Sequence, residues 1–370
     1  MTPASEAVLA EAVRAARRPL AIEGGGTRGV GHAVEGERLS TAGLSGITLY
    51  EPGALTLVVR AGTPLAEVKA ALAAEGQMLP FEPWDARPLT GANGAPTVGG
   101  MVATNASGPR RVAAGACRDL MLGVRFVDGT GAVVKNGGRV MKNVTGLDLV
   151  KLMAGSHGTL GVLTEVSFKV LPRPETAATL VLEGLDADAA GRAMRAAMAT
   201  PCDVTGAAQA GGRTMLRLEG FEASVAHRAK VLTAALVRFG TATVETVDWA
   251  ALRDAAAFAG REGAVWRVSV RPSDGPAVGA RLPEAEIVYD WAGGLLWVLA
   301  PEGLDVRTAL AGMAGHATLV RGSDAAKARW GVFHPEPAPV AAVAAGLRAR
   351  FDPKGILNRG RMGAAGAVAA

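Results

Sequence analysis

The stretch IEGGGTRGVG, residues 22–31, carries Gly24-x-Gly26-x-x-Gly29. Glycines this dense let successive backbone N–H groups converge on phosphate oxygens, because no Cβ holds the ligand away. Thr27 adds a hydroxyl and Arg28 a positive charge; Gly25 completes the run. A second glycine-dense stretch spans residues 90–134. There Gly91, Gly94, Gly99, Gly100 and Gly108 alternate with Thr97, Thr104, Asn105 and Ser107. Close backbone approach plus small hydroxyl and amide groups suits a flat heterocycle with polar edges. A third, GSHGTLG, brings Gly155, Gly158 and Gly161 around His157. The five histidines, at 32, 157, 227, 316 and 334, are isolated, with no H-x-H or H-x-x-x-H spacing, so no metal site is read. The two cysteines, Cys117 and Cys202, give neither a disulfide framework nor the ligands of an iron–sulfur cluster.

The elements around these loops decide between two phosphate-binding schemes. A dinucleotide fingerprint needs a strand before the glycines, a helix after them and an acidic residue about 20 positions on. The strand is there, Pro-Leu-Ala-Ile-Glu at 19–23, and Glu51 could serve as the acid. The helix fails: residues 27–46 hold five glycines and no apolar stripe. Each interior glycine costs a helix about 1 kcal/mol against alanine. A backbone nest without a crossover helix remains.

Elsewhere in this half, Val8, Leu9, Ala12, Val13 and Ala16 form a helical stripe ended by Pro19. Leu55, Leu57, Val59 and Ala61 alternate as a strand, and a helix from Pro64 to about Glu75 is closed by Gly76. LGVRFVDGTGAVV reads as a hairpin turning at Asp128-Gly129, and residues 162–171 as a long strand. From 176, strand and helix patterns follow one another about twice, suggesting a split βαβ-like sheet.

At 370 residues the chain can hold two or three cores. No apolar run approaches the roughly 18 residues of a membrane span. The N-terminus lacks a basic start before an apolar core, so no secretory signal is read, and a cytoplasmic location is expected, with membrane association only through partners. The net charge of +5 is spread over scattered residues, mostly arginine, which does not describe a nucleic-acid surface.

In this order the motifs resemble the flavin-binding domain of the vanillyl-alcohol oxidase and p-cresol methylhydroxylase type. The first loop is GGGT at Gly24–Thr27. The second is TVGG at Thr97–Gly100 followed by NASG at Asn105–Gly108. The third runs from Lys142-Asn143 to Gly161, before a strand ending Pro-x-Pro. FDPKGILNRGRM, residues 351–362, resembles the family's C-terminal ending, with Arg359 where a proline is usual. The resemblance implies an α+β fold: a PCMH-type, two-subdomain FAD-binding domain over 1–175, a smaller α+β cap over 176–325, and a segment 326–370 returning to the FAD domain. It implies FAD rather than NAD. Gly24, Gly25, Gly26, Thr27 and Arg28 would face the pyrophosphate. Gly99, Gly100, Ser107 and Gly108 would line the isoalloxazine side. Leu160, Gly161 and Val162 would follow the adenine, and Asn358 and Arg361 would close the site. With no His or Cys inside GGGTR, the flavin is expected to be non-covalent, His32 and Cys117 being the nearest alternatives.

Oxidising a 2-hydroxy acid needs a cation for the carboxylate, a base for the hydroxyl proton and a hydride acceptor. His157 is a candidate base, and Tyr289 another. Related stand-alone lactate and glycolate dehydrogenases carry a histidine-rich segment late in the cap. The shorter cap here lacks it, and the chain thereby resembles the FAD-binding E-subunit family of bacterial glycolate oxidases. That resemblance implies work beside a second flavoprotein and an iron–sulfur subunit on a small 2-hydroxy acid. A stand-alone flavin oxidase and a scaffold that has lost redox work are the alternatives.

Overall fold

The structure, a computed structural model, describes residues 1–139 and 146–363. Its contacts divide the chain into two units. The first holds Met1–Ala106, Ala116–Pro172 and the chain from Pro335; the second holds Ser107–Gly115 and Arg173–His334. The stretch Ser107–Gly115, expected with the first domain, therefore belongs to the second, as does the chain as far as His334. The Lys142-Asn143 pair of the third motif lies outside the described residues.

The first unit opens with a helix, Glu6–Ala15, whose N-cap Ser5 accepts from Val8 N. Its buried residues are Leu9, Ala10 and Val13, while Val8 is exposed, so the apolar stripe is narrower than its sequence pattern. They pack with Leu20, Leu39, Val162, Ile356 and Leu357 into a small core. Two of those residues sit on strands β1 (Leu20–Glu23) and β2 (Glu37–Ser40), which pair in parallel. Within residues 27–46 the chain forms no α-helix, only β2 and a single 3-10 turn, Thr41–Gly43. The glycine count predicts this result.

A five-stranded sheet follows, in the order β3-β4-β8-β6-β7. Its strands are β3 (Ile47–Glu51), β4 (Thr56–Arg60), β6 (Met121–Val127), β7 (Val133–Gly137) and β8 (Val162–Lys169). On β4, Thr56, Leu57, Val58 and Val59 are all buried, so the strand is covered on both faces where alternation suggested one. Leu55 sits just before it in the left-handed region, φ 52°. Short β5 (Gln77–Met78) pairs with β9 (Leu171–Pro172) at the side. The helix Leu65–Ala74 buries Leu65, Val68 and Leu72, and Gly76 at φ 63° turns the chain out of it. The β6–β7 connection is longer than the expected two-residue turn. Asp128 Oδ1 accepts from Thr130 N at 2.9 Å and Ala132 N at 3.0 Å, which stabilises a loop through residue 132. After the helix Ala338–Phe351 the chain returns to β1: Leu20 N donates to Ile356 O at 2.7 Å and Asn358 N to Leu20 O at 3.1 Å.

The second unit is built on an eight-stranded antiparallel sheet among the described residues, ordered β13-β10-β12-β11-β15-β16-β14-β17. Its strands are β10 (Thr176–Glu183), β11 (Gly206–Ala210), β12 (Arg213–Gly220), β13 (Ala242–Glu245), β14 (Ala264–Val270), β15 (Glu286–Asp290), β16 (Leu295–Ala300) and β17 (Gly315–Arg321). In each half, strands one and three lie at the centre, the order of a split βαβ unit. The halves join edge to edge where Gln209 of β11 faces Tyr289 of β15. The helices Ala187–Met198, capped by Asp186, and Glu222–Leu236 cover one face of the first half. Six consecutive residues of β16, LLWVLA, are buried, which explains their unbroken apolar run. No helix among the described residues is long and apolar enough to cross a membrane.

Candidate functional site

The loop after β1 holds four glycines between residues 24 and 29, and they are glycine for different reasons. A Cβ on Gly24 would lie 2.2 Å from Thr97 Oγ1, and one on Gly25 would lie 1.6 Å from the Ala95 carbonyl oxygen. On the opposite loop, a Cβ on Gly94 would lie 1.7 Å from the Gly25 oxygen. The first and second loops thus interlock backbone against backbone. Gly26 differs: it is exposed, its φ is 67°, and a Cβ there would meet nothing within 4 Å. It faces open space.

That space is a cavity of about 340 Å³, inside the range of small-molecule and cofactor sites. All its lining residues belong to the first unit. The structure brings together there Gly24, Gly25, Gly26, Thr27, Arg28, Gly99, Gly100, His157, Gly161, Asn358 and Arg361. Among the described residues, the N–H groups of Gly24, Gly25, Gly26 and Thr27 donate to no protein acceptor. Four adjacent donors without partners beside a cavity describe a nest for an anion. The Gly99 and Gly100 donors are already used, the first by Ala61 O at 2.7 Å and the second by Thr97 Oγ1 at 3.3 Å. These two glycines supply thin walls rather than donors.

Two arginines carry the charge. Arg28 donates to Trp84 O at 2.7 Å and lies over the Trp84 ring, 5.2 Å from its centroid. Arg361 donates to Arg28 O at 3.1 Å and makes no ion pair with a carboxylate among the described residues. His157 lines the same cavity, at φ 51°. Burial first, then the charges of Arg361 and Arg28, lower its pKa to about 4, so the ring is neutral at pH 7.

Asn358 lines the cavity, and its amide is also held by the protein. Its Oδ1 accepts from Ile22 N at 2.7 Å, and its Nδ2 donates to His157 O at 2.8 Å. The amide therefore ties the C-terminal segment to β1 and to the third loop. Gly158 gives it room, since a Cβ there would lie 2.7 Å from Asn358 Nδ2. Leu160 and Val162 flank Gly161 but point into the interior; Val162 belongs to the core under β1. A Cβ on Gly161 would lie 2.5 Å from the Phe126 ring, so packing requires this glycine. Ser107 and Gly108 belong to the second unit and do not line the cavity. His32 is held through its backbone, donating to Arg361 O at 3.0 Å, and is not a lining residue. Cys117 is fully buried, and burial raises its thiol pKa. Tyr289 is a core residue of the second unit, its phenol against Gly279, and burial raises its pKa. Among the described residues, no group of three or more His, Cys, Asp or Glu side chains is arranged to hold a metal ion.

Comparison with known proteins agrees with this architecture. Residues 1–137 match the FAD binding domain family. The chain is 37% identical over 349 residues to the glycolate oxidase subunit GlcE of Escherichia coli (strain K12), covering 94% of this chain and 93% of that one. It is 34% identical over 137 residues to the glycolate oxidase subunit GlcD of Bacillus subtilis (strain 168), which is 36% of this chain and 28% of that protein. Among solved structures, 4-ethylphenol oxidase from Gulosibacter chungangensis superposes with a TM-score of 0.69 at 13% identity, covering 98% of this chain and 88% of that one. The fold is therefore that of the PCMH-type flavin oxidases, and the cofactor is FAD.

Proposed function

Since the chain belongs to the family of the glycolate oxidase subunit GlcE, we propose that it is the FAD-binding subunit of a glycolate oxidase complex. The chain is a FAD-linked oxidoreductase; the proposal concerns its substrate, product and partners. The substrate is glycolate or a close 2-hydroxy acid, the product of glycolate is glyoxylate, and the partners are a second flavoprotein and an iron–sulfur subunit.

The observation that carries the reading is the set of four unused N–H donors at Gly24–Thr27 beside Arg361. Donors fixed by the backbone and a cation without an acidic partner fit a diphosphate bridge. Gly99, Gly100 and Gly161 present backbone to the cavity, which suits the close approach of a planar ring system. Bound there, FAD supplies a two-electron acceptor for the oxidation. The binding is non-covalent: His32 is not a lining residue, and the Cys117 thiol is buried and protonated. Asn358 positions the third loop. His157, neutral beside two arginines, can accept a hydrogen bond or proton within the cavity. With two cysteines in the chain, a [4Fe–4S] or [2Fe–2S] cluster with the usual four thiolates has to come from a partner.

Two measurements test this. Gly26→Asp brings a carboxylate into the nest and is expected to yield folded protein without flavin; undiminished flavin would remove the nest assignment. Anaerobic titration of the isolated chain with glycolate and D-lactate then separates the roles. A flavin that stays oxidised alone and bleaches once the partners are added supports the complex. Full bleaching without partners supports a stand-alone 2-hydroxy acid oxidase instead.

A further inference from the structure

The second unit carries a cationic site that the flavin cavity does not use. Arg267 lies on β14, with Trp297 of β16 opposite it on one side and Thr318 of β17 on the other. The next cross-strand row on the same face runs Asp290, Leu295, Ser269, His316. This face is turned away from the core that holds Trp266, Val268 and Leu296.

Above Arg267 comes Trp291. Its indole Nε1 donates to Gly108 O at 3.0 Å, which fixes the 107–115 segment over the sheet. Two guanidinium groups share that indole. Arg111 lies 4.4 Å from its centroid and Arg267 4.9 Å, and Arg267 also lies 5.9 Å from the Trp297 ring. The Arg267 guanidinium makes no hydrogen bond or close ion pair with any described residue; it lies against the two indoles, with the charges of Arg111 and Asp290 acting on it. Two like charges close together, one of them without an acceptor, are an unfavourable arrangement unless an anion joins them.

The local charge balance points the same way. Burial, then the charge of Arg111, brings Arg267 down to about 10, so it remains a cation at neutral pH. Partial desolvation of the His316 ring, then the charges of Arg267, His334 and Arg111, hold its pKa below the ordinary histidine value. Asp290 is the acid facing the group, and its Oδ1 already accepts from Trp291 N at 2.7 Å. The backbone is strained at the same place: Trp291 and Ala292 are both left-handed, at φ 54° and 57°. Non-glycine residues held in that region are costly and cluster at ligand clamps.

We infer that Arg267 and Arg111, set over the Trp291 indole, form a receptor for one small carboxylate. A guanidinium fork matches a planar carboxylate in two parallel hydrogen bonds, and indole faces keep that fork in its plane. The His316 ring, Thr318 and Ser269 share the face and suit a second polar group on the same small molecule. The identity of the carboxylate as glycolate rests on the proposed function; the receptor itself does not.

The full chain, as purified, is titrated calorimetrically with glycolate, acetate, glycolamide and inorganic phosphate, following tryptophan fluorescence in parallel. Glycolate and acetate are expected to bind one to one, and glycolamide at least about tenfold more weakly, since it lacks the charge. Arg267→Met, which keeps an unbranched stem between the indoles, should weaken glycolate about ten- to a hundredfold. Arg267→Lys should fall between, keeping charge without the fork. Wild-type affinity in Arg267→Met, equal binding of glycolamide and glycolate, or a preference for phosphate would each overturn the receptor. The wild-type comparison among the four probes decides the question even if Arg267→Met does not fold. Arg267-dependent carboxylate binding without flavin bleaching by glycolate keeps the receptor and removes the glycolate reading. Bleaching at unchanged half-saturating glycolate in Arg267→Met does the reverse.

Discussion

In the first unit, the donors beside the cavity belong to the backbone; on the Arg267 face of the second sheet they belong to guanidinium groups. Gly24–Thr27 present four adjacent N–H groups from one loop. Arg111, Arg267 and Trp291 come from three places in the chain, brought together by strands and a short crossing segment. A backbone nest needs permissive dihedrals and little else, so its residues can be contiguous. A side-chain receptor needs rigid strands beneath it, because each long side chain loses rotamer freedom when held. The two regions also fail differently. The loop is sensitive to an atom added at Gly24 or Gly25, and the sheet to a charge left alone.

That contrast can be broken at several points. The largest effect is expected at Glu219, half of a buried ion pair in the second unit, 2.5 Å from Arg110 and 3.4 Å from Arg217. Glu219→Ala takes the carboxylate from both cations and should cost about 3–5 kcal/mol in thermal or denaturant unfolding. A loss under about 1 kcal/mol would mean that the second unit tolerates lone charges after all.

His157 sharpens the first-unit side. Its folded-state pKa of about 4 lies below the ordinary histidine value of 6.5. As pH falls, the unfolded chain takes up the proton first, so stability is full above about pH 6.5 and declines toward pH 4, by up to roughly 3 kcal/mol. His157→Gln should flatten that part of the pH–stability curve. A parallel curve in the variant would show that the ring is not held neutral by burial and the charges of Arg361 and Arg28.

The smallest effect separates neighbouring glycines. Gly25→Ala forces a methyl group toward the Ala95 carbonyl and should cost about 1–3 kcal/mol together with flavin content. Gly26→Ala meets open space and bears only the left-handed penalty, roughly 1–2 kcal/mol. Equal flavin loss and equal destabilisation in both would mean that the interlock of the two loops adds nothing.

Sequence reasoning reached the first region because glycine density is a local signal. Five glycines after β1 excluded a crossover helix, and residues 27–46 contain none. It did not separate glycines that admit a ligand from glycines that admit a neighbouring loop; Gly25 and Gly94 need each other's backbone to be understood. Strands β11 and β13 gave no pattern, since GAAQA and ATVE are short and lack an apolar alternation. The Arg267 face was invisible for another reason. Positions 111, 267, 291 and 316 meet only through cross-strand register and the crossing segment, which no spacing along the chain encodes. Asn358 was found by motif and lines the cavity, but the brace its amide makes to Ile22 and His157 joins segments more than 200 residues apart and has no signal along the chain.

The bridge from Leu20 to Ile356 and Asn358 has a consequence for synthesis. The ribosome releases β1 more than three hundred residues before the segment that completes the wall beside it. Until Arg361 has emerged, a nascent chain holds only part of the cavity wall. With the flavin in this cradle as proposed, loading is expected to wait for residues 356–361, and a chain truncated before residue 356 is expected to purify without FAD.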